Sequence, residues 1–437
     1  MENRLDTPSS ERSALSRRGL LGAAGATGLA AGMLAAPGVA SAKSSKVRRR
    51  SAGDSYTIGC SFPLTGPLAS DGEQMKNGVT LAAAEINALG GIAGKKINLS
   101  IVDTDVTDPA KIKTSLQKHV NDKVDALYEG YLIQWPASMD IKANYGAPSL
   151  NASTSIDQVK QIASAAKYKN IFQIDPPESY YGLGFPGFLN NLKKSGKWKP
   201  KNNLIFIVEG DSVYSQTISK FTQQQAPKEG WKIKGVKKVT GGAADWSPSA
   251  KAAKDSGAAV VMVTHFAPDD LAKWTKAWAA NPGKALVYLQ YGPSIPAYTK
   301  LAGKAANGII WATVTGVYND PVGKIFRSAY KAKFNQSAGF SNSGSGYDGV
   351  HMLARAWGVT GDGQNFKANI AQLNKMIHRG VNGGYWLTKN AGLAYPAQTA
   401  DPGVSQAHLF FQIQNGVHHI IQPAPYIEAS YTNPSWM

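Results

Sequence analysis

Few residues of this chain stand at spacings that chemistry requires. Gly182-Leu183-Gly184-Phe185-Pro186-Gly187 has the spacing of a dinucleotide fingerprint. That motif needs a strand before it and open backbone over a helix N-terminus. Here it follows Glu178-Ser179-Tyr180-Tyr181 inside a helical pattern and is crowded by Phe185 and Pro186, so with 45 glycines in the chain, chance accounts for it. No Gly-x-x-x-x-Gly-Lys-Ser/Thr loop, Gly-x-Ser-x-Gly elbow or His-Glu-x-x-His helix occurs. Phosphoryl transfer, the common hydrolase elbow and zincin chemistry therefore lose their usual support. The seven histidines are scattered, and adjacent His418 and His419 would point to opposite faces of a strand, which makes no metal site. Asp103 and Asp105 read as loop carboxylates after a strand rather than an acid/base pair. Neither catalysis nor a cofactor or metal is expected.

Aromatic residues are more informative. Tyr131, Trp135, Tyr180, Tyr181, Tyr214, Trp246, Tyr291 and Trp311 fall at expected strand ends or in the loops that follow. If half of them reach one cleft, it is an apolar-walled pocket with a few polar anchors, as small-molecule sites usually are.

The elements that would position them alternate regularly. Ile58 to Phe62, Ile97 to Val102, Val124 to Tyr128, Leu204 to Val208, Val260 to Val263, Ala285 to Leu289 and Ile309 to Val314 are short apolar runs that read as strands buried on both faces. Between the first two, Met75, Val79, Ala82, Ala83, Ile86 and Leu89 recur at helical spacing, with Ser70-Asp71-Gly72-Glu73 in front as a capping box. The unit is β-α-β with a right-handed crossover, hence a parallel sheet. Too many such units follow for one sheet, so an α/β architecture of two doubly wound lobes with a cleft between them is expected. The tail beyond Gly380, with Leu409 to Ile413 and Ile420-Ile421, reads as antiparallel strands closing one lobe.

Composition sets the outer bounds. The 437 residues, 43% hydrophobic, can bury a large core, and a single cysteine, Cys60, excludes an internal disulfide. Ser16-Arg17-Arg18-Gly19 precedes an uncharged run to Ala42 in which 15 of 24 residues are Gly or Ala, closing on Ala40-Ser41-Ala42. This is the pattern of a twin-arginine export signal over residues 1–42, followed by a flexible Ser- and Arg-rich tether, 43–54. Cleavage would remove four Lys/Arg and three Asp/Glu from a chain of +18, leaving a mature charge of +17. The basic residues are not interleaved with a stacking platform of aromatics, so nucleic acid is not an expected partner.

One stretch carries a family resemblance: Ile58-Gly59-x-x-x-Pro63-Leu64-Thr65-Gly66-Pro67-x-Ala69, then Gly72, Gly78 and Ala84-Glu85-Ile86-Asn87-Ala88-x-Gly90-Gly91. Asp108-Pro109, Asp211-Ser212-Val213-Tyr214-Ser215, Asp245-Trp246-Ser247 and Tyr347-Asp348-Gly349 extend it. From Tyr56 to about Pro425 the chain resembles the solute-binding proteins of branched-chain amino acid ABC transporters, with the type I periplasmic binding fold. The resemblance implies two lobes joined by a three-strand hinge, 55–173 with 316–380 and 174–315 with 381–437, closing on a solute. It further implies delivery to membrane permease and ATPase subunits, in the periplasm or at the extracellular cell surface.

Carried over residue by residue, the family's pocket falls on Gln134 and Trp135 after the third strand, on Ser153 and Thr154 with exposed backbone N–H groups, on Glu178 with Tyr180 beside it, and on Tyr214. The acidic residue that holds the α-amino group in leucine binders should follow Leu289, but the sequence is Gln290-Tyr291-Gly292. A buried ammonium without a carboxylate is costly, so an ordinary amino acid is disfavoured unless Glu178 or Asp71 substitutes. The expected ligand has a carboxylate or amide head and an apolar or aromatic body lying against Trp135 and Tyr291. The alternative is a branched-chain amino acid, and a sensor or an enzyme on this fold ranks lower.

Overall fold

The computed structural model describes residues 55–387, the backbone of 396–397, and residues 405–437; the expected signal, 1–42, and tether, 43–54, lie outside the described residues. Five strands come first: β1 (Ser55–Phe62), β2 (Lys96–Asp103), β3 (Ala126–Glu129), β4 (Ser149–Asn151) and β5 (Ile171–Gln173). They are linked by α1 (Ala69–Ala88), α2 (Pro109–Asn121), α3 (Pro136–Tyr145) and α4 (Ile156–Ser164). All four strand pairings are parallel, in the order β2-β1-β3-β4-β5.

The chain then leaves this sheet through α5 (Ser179–Lys194) and builds a second from β6 (Leu204–Gly210), β7 (Lys232–Val239), β8 (Val260–Val263), β9 (Leu286–Leu289) and β10 (Ile310–Thr313). Its crossover helices are α6 (Val213–Gln225), α7 (Ser247–Asp255), α8 (Pro268–Ala280) and α9 (Pro296–Ala302). Next come α10 (Pro321–Phe334), α11 (Asn342–Thr360) and α12 (Phe366–Lys375), of which α11 packs along α1. A hairpin, β11 (Ile377–Gly380) and β12 (Gly383–Trp386), and a short pair, β13 (Pro396–Ala397) and β14 (Gln406–Ala407), precede β15 (Leu409–Gln414) and β16 (Val417–Gln422). The second sheet reads β16-β15-β10-β9-β8-β6-β7, with β15 antiparallel to β10 and β16 antiparallel to β15.

The two parallel blocks thus share one strand order, the first-formed strand lying second from the edge in both. This is the doubly wound arrangement expected from the alternation of apolar runs, and each block has its switch point between that strand and the third. Each lobe has its own core. Tyr56, Phe62, Met75, Tyr128 and Trp357 pack in the first, where Tyr56 stacks on Trp357 at 4.7 Å. Trp274, Trp278 and Trp311 fill one face of the second sheet, and Phe185, Phe188 and Tyr288 the other.

One local reading differs from the structure. α1 begins at Ala69, so Ser70 lies inside the helix, and Leu68 at the N-cap makes no side-chain cap. The glycine pattern of 182–187 lies within α5, in keeping with its helical surroundings in the sequence. A Cβ at Gly182 would meet the Ile218 carbonyl oxygen at 2.6 Å, so glycine there lets α5 and α6 approach closely and holds no nucleotide.

Beneath β3 and α3 an ion pair is fully enclosed: Lys142 Nζ donates to Glu129 Oε2 at 2.8 Å with both side chains no more than 1% exposed. Removing one partner leaves an uncompensated buried charge. Lys142→Met should therefore lower unfolding free energy by about 3–5 kcal/mol in urea titration, and the double variant with Glu129→Leu should recover most of that loss.

Candidate functional site

A cavity of about 570 Å³ opens where the carboxyl ends of both sheets face one another. The first lobe supplies the loop Tyr131–Pro136 after β3 and the segment Ala152–Ser155 after β4. Asp175 and Glu178 stand where the chain first crosses, and Thr315 where it crosses back. The second lobe adds Asp211, Ser212, Val213 and Tyr214 after β6, Phe266 after β8 and Tyr291 after β9, while Ser341 and Asn342 open α11. A parallel sheet forces this arrangement, because every strand ends on the side where the next helix begins.

Of the residues expected from the sequence, Gln134, Trp135, Ser153, Thr154, Glu178, Tyr214 and Tyr291 all line this cavity. Tyr180 does not: it packs beside the second-lobe core, and the next residue along α5, Tyr181, faces the cavity instead. Asp71 sits behind the lining, buried, where its Oδ2 accepts hydrogen bonds from the Tyr131 hydroxyl at 2.7 Å and the Tyr291 hydroxyl at 2.9 Å. Burial pushes its carboxyl up, and these hydroxyls pull it back. One tyrosine comes from each lobe, so this carboxylate joins the lobes across the cleft.

The apolar wall is a continuous aromatic array. Tyr214 meets Tyr181, Phe266 and Tyr291 edge-on at 6.2, 5.6 and 6.1 Å, and Phe266 lies parallel to Tyr291 at 6.4 Å. Gln290, the residue beside the missing acid, is buried and spends its amide on Tyr214: Nε2 donates to the Tyr214 hydroxyl at 2.9 Å, and its oxygen accepts from Tyr288 at 3.1 Å. It fixes the wall and does not reach the cavity.

The polar part of the cavity departs from expectation. Ser153 N–H donates to Asn151 Oδ1, Ser155 N–H to Ser153 Oγ, and Ile156 N–H to Glu178 Oε2 at 2.7 Å. The backbone donors expected to await a carboxylate here are largely engaged within the protein. Glu178 itself is buried, and burial pushes its carboxyl up to about 7. Asp175 is likewise pushed up to about 7 by burial, against hydrogen bonds from Thr315 and Ser345. The lining carries four carboxyl groups, Asp157, Asp175, Glu178 and Asp211, and no Lys, Arg or His.

The sequence profile of the periplasmic binding proteins matches residues 55–398. This chain belongs to that family. A crystal structure from Silicibacter pomeroyi, assigned to branched-chain amino acid ABC transport, is 32% identical; the match covers 88% of this chain and 100% of that one with a TM-score of 0.81. A leucine-, isoleucine-, valine-, threonine- and alanine-binding protein of Pseudomonas aeruginosa is 23% identical over 291 residues, 66% of this chain and 74% of the relative. A Leu/Ile/Val-binding protein of Rhizobium johnstonii is 44% identical over 68 residues only, 16% of this chain and 18% of that relative's length.

Several residues lining the cleft of this periplasmic binding protein escaped the sequence reading. Tyr131 was visible as an aromatic residue after a strand, but Phe266, Asn342 and Thr315 carried no signal, since each belongs to a segment remote in sequence from the rest. Glu178 offers the sharpest test. In the unfolded chain it ionises near pH 4.5, whereas in the fold it keeps its proton to about pH 7. The folded state binds the extra proton in that window, so Glu178 weakens stability progressively as pH rises from 4.5 to 7. Glu178→Gln does not titrate, and its stability relative to the parent should rise by about 1–3 kcal/mol across that window in paired chemical denaturation.

Proposed function

We propose that this periplasmic binding protein is the exported solute-binding component of an ABC importer, which captures a small solute between its lobes and delivers it to a membrane permease and its ATPase. The carrying observation is the cavity of about 570 Å³ between two lobes, walled by aromatic side chains and set with carboxyl groups. The names of the relatives agree with it, and a binder returns its solute unchanged. The twin-arginine pattern supports export to the periplasm or the outer cell surface. The lobes divide as 55–173 with 316–380 and 174–315 with 381–437, except that Tyr385 and Leu387 belong to the first core, which moves the last hand-over beyond 387.

The ligand has an N–H donating head and an apolar or aromatic body. Trp135, Tyr214, Phe266 and Tyr291 receive the body, with Gln134 at the exposed rim. Glu178 meets the head, flanked by Ser153 and Thr154, and Asp71 acts behind them through Tyr131 and Tyr291. Asp157 is paired with Lys160, but three lining carboxyl groups without a cationic partner, Asp175, Glu178 and Asp211, suit an amide better than a free carboxylate, which narrows the expectation drawn from the sequence. Glu178 also supports a second reading, a branched-chain amino acid whose ammonium group it pairs.

The test is a thermal-shift screen of the refolded, ligand-stripped chain against aromatic and aliphatic amides, branched-chain amino acids and aromatic carboxylates. A ligand at 100 times its dissociation constant adds about 2.7 kcal/mol, which is readily seen. Amide hits are expected; hits among leucine and its kin alone would favour the second reading, and no hit in any class would sink both. The pH dependence separates head groups: affinity for an amide or ammonium ligand should rise as pH climbs through about 7, because ionised Glu178 accepts, whereas affinity for a carboxylate should fall. By calorimetry, Trp135→Ala and Tyr291→Ala should each weaken binding by at least about tenfold, the order expected for losing an aromatic contact.

A further inference from the structure

The charge of this chain is unevenly spread. From Lys193 to Lys238 it carries eleven lysines, no arginine and three carboxylates, Glu209, Asp211 and Glu229. Two of these acids are used elsewhere: Asp211 lines the cleft, and Glu229 accepts from Asn190 and Gln225. Among the described residues none of the eleven lysines enters an ion pair, whereas on other faces Lys118, Lys160, Lys167, Lys251 and Lys273 each sit beside an aspartate.

Four of these lysines lie along one edge of the second lobe. β7 is the outermost strand of its sheet, and Lys232, Lys234, Lys237 and Lys238 along it are all exposed. The segment after α5 abuts its start: Lys232 N–H donates to the Asn203 carbonyl, Asn203 Nδ2 to the Gly230 carbonyl, and Lys193 Nζ lies 5.7 Å above the Trp231 ring. Lys193 and Lys201, which flank this contact, thereby adjoin the lysine row of β7, whose eight residues span roughly 26 Å, whereas Lys197 Nζ turns to Ser430 Oγ at 2.8 Å. Lysines on a free edge also block strand addition, but that task needs only one or two of them.

We propose that this lysine edge is a docking surface for anionic phospholipid headgroups. The solute cavity is lined by none of these lysines, so the array suits a plane of many anions and not one phosphate. Trp198 and Trp231, the two tryptophans among them, are buried and stacked on each other at 5.9 Å, and so offer no exposed ring for a base to stack on. The choice of a bilayer over other anionic surfaces rests on delivery to a membrane permease, but not on which solute is carried. Docking would hold the loaded protein near the membrane by charge alone.

The experiment is co-sedimentation of the purified chain with mixed phosphatidylglycerol–phosphatidylcholine vesicles and with phosphatidylcholine vesicles. Binding only to the first is expected, weakening steeply between about 0.05 and about 0.3 M salt as screening shortens. Each lysine at the surface is worth about fivefold in affinity, so replacing Lys232, Lys234, Lys237 and Lys238 by Gln should lose well over tenfold. The same charge change at Lys111, Lys113, Lys324 and Lys331, which are exposed elsewhere, should lose little. A second set, Lys193→Gln and Lys201→Gln, serves if the strand variant does not fold. No binding to anionic vesicles, equal loss in edge and control variants, or tighter binding to duplex DNA than to vesicles would each overturn the proposal. Solute affinity measured on the same variants should be unchanged, which keeps this test separate from that of the cleft.

Discussion

The first two passages between the lobes meet at one buried carboxyl group. Asp175 stands just after β5, where the chain first leaves the first sheet, and its Oδ1 accepts from the Thr315 hydroxyl at 2.9 Å and the Ser345 hydroxyl at 3.0 Å. Thr315 lies on the return passage and Ser345 near the start of α11. Asn382, in the turn of the β11–β12 hairpin, donates from Nδ2 to Thr315 Oγ1, to Ser345 Oγ and to the Ser341 carbonyl. Desolvation alone would make such a group expensive to bury, and the hydroxyls that surround it are what make the position tenable. A polar point shared by the outward and return passages is also the natural pivot of a two-lobed molecule.

From that pivot the structure reaches forward to Asp71. The lobes meet there through one carboxylate oxygen held by a tyrosine from each side. A hydrogen bond to a charged group contributes about 1.5–3 kcal/mol, too little to hold two lobes shut against the entropy of opening. Closure must then draw on contacts that exist only with the cleft filled, which is the condition for a ligand to shift a conformational equilibrium. The aromatic array of Tyr181, Tyr214, Phe266 and Tyr291 belongs wholly to the second lobe, and Trp135 belongs to the first. A flat ligand body held between them would be touched by both lobes only in the closed form.

Much of this was legible in the sequence because doubly wound lobes are written in a period. Apolar runs of four to six residues alternating with helical repeats fix β-α-β units, and the handedness of the crossover fixes most of the rest. The common strand order of the two lobes has no counterpart as an internal sequence repeat; it follows from the same packing rule applied twice. Single-residue directions were harder. Tyr180 and Tyr181 differ by one step on a helix, about 100° of rotation, and only packing of α5 on α6 around Gly182 settles which one faces the cleft. Ser70 is no cap because α1 starts at Ala69, two residues before Asp71, where a Ser70 cap would have begun it. Phe266 and Asn342 could not be read at all, since membership of a cleft between lobes is a long-range property.

The cleft and the surface carry opposite signs, and this bears on what kind of solute fits. The chain as a whole is strongly basic, yet the cavity lining has three carboxyl groups, Asp175, Glu178 and Asp211, with no cation beside them, besides Asp157 that pairs with Lys160. An anion would be drawn toward the protein at long range and repelled at the site; a simple cation would suffer the reverse. An uncharged amide or a zwitterion meets neither penalty, because its net charge is zero at a distance while its N–H groups still find acceptors at close range. Glu178 refines this further. With its carboxyl pushed up to about 7, it is poised between accepting and donating near neutral pH, and a ligand that brings N–H donors draws it to the ionised form. Binding such a ligand must then release a fraction of a proton, the signature that distinguishes an amide or ammonium head from a carboxylate, which would instead take one up.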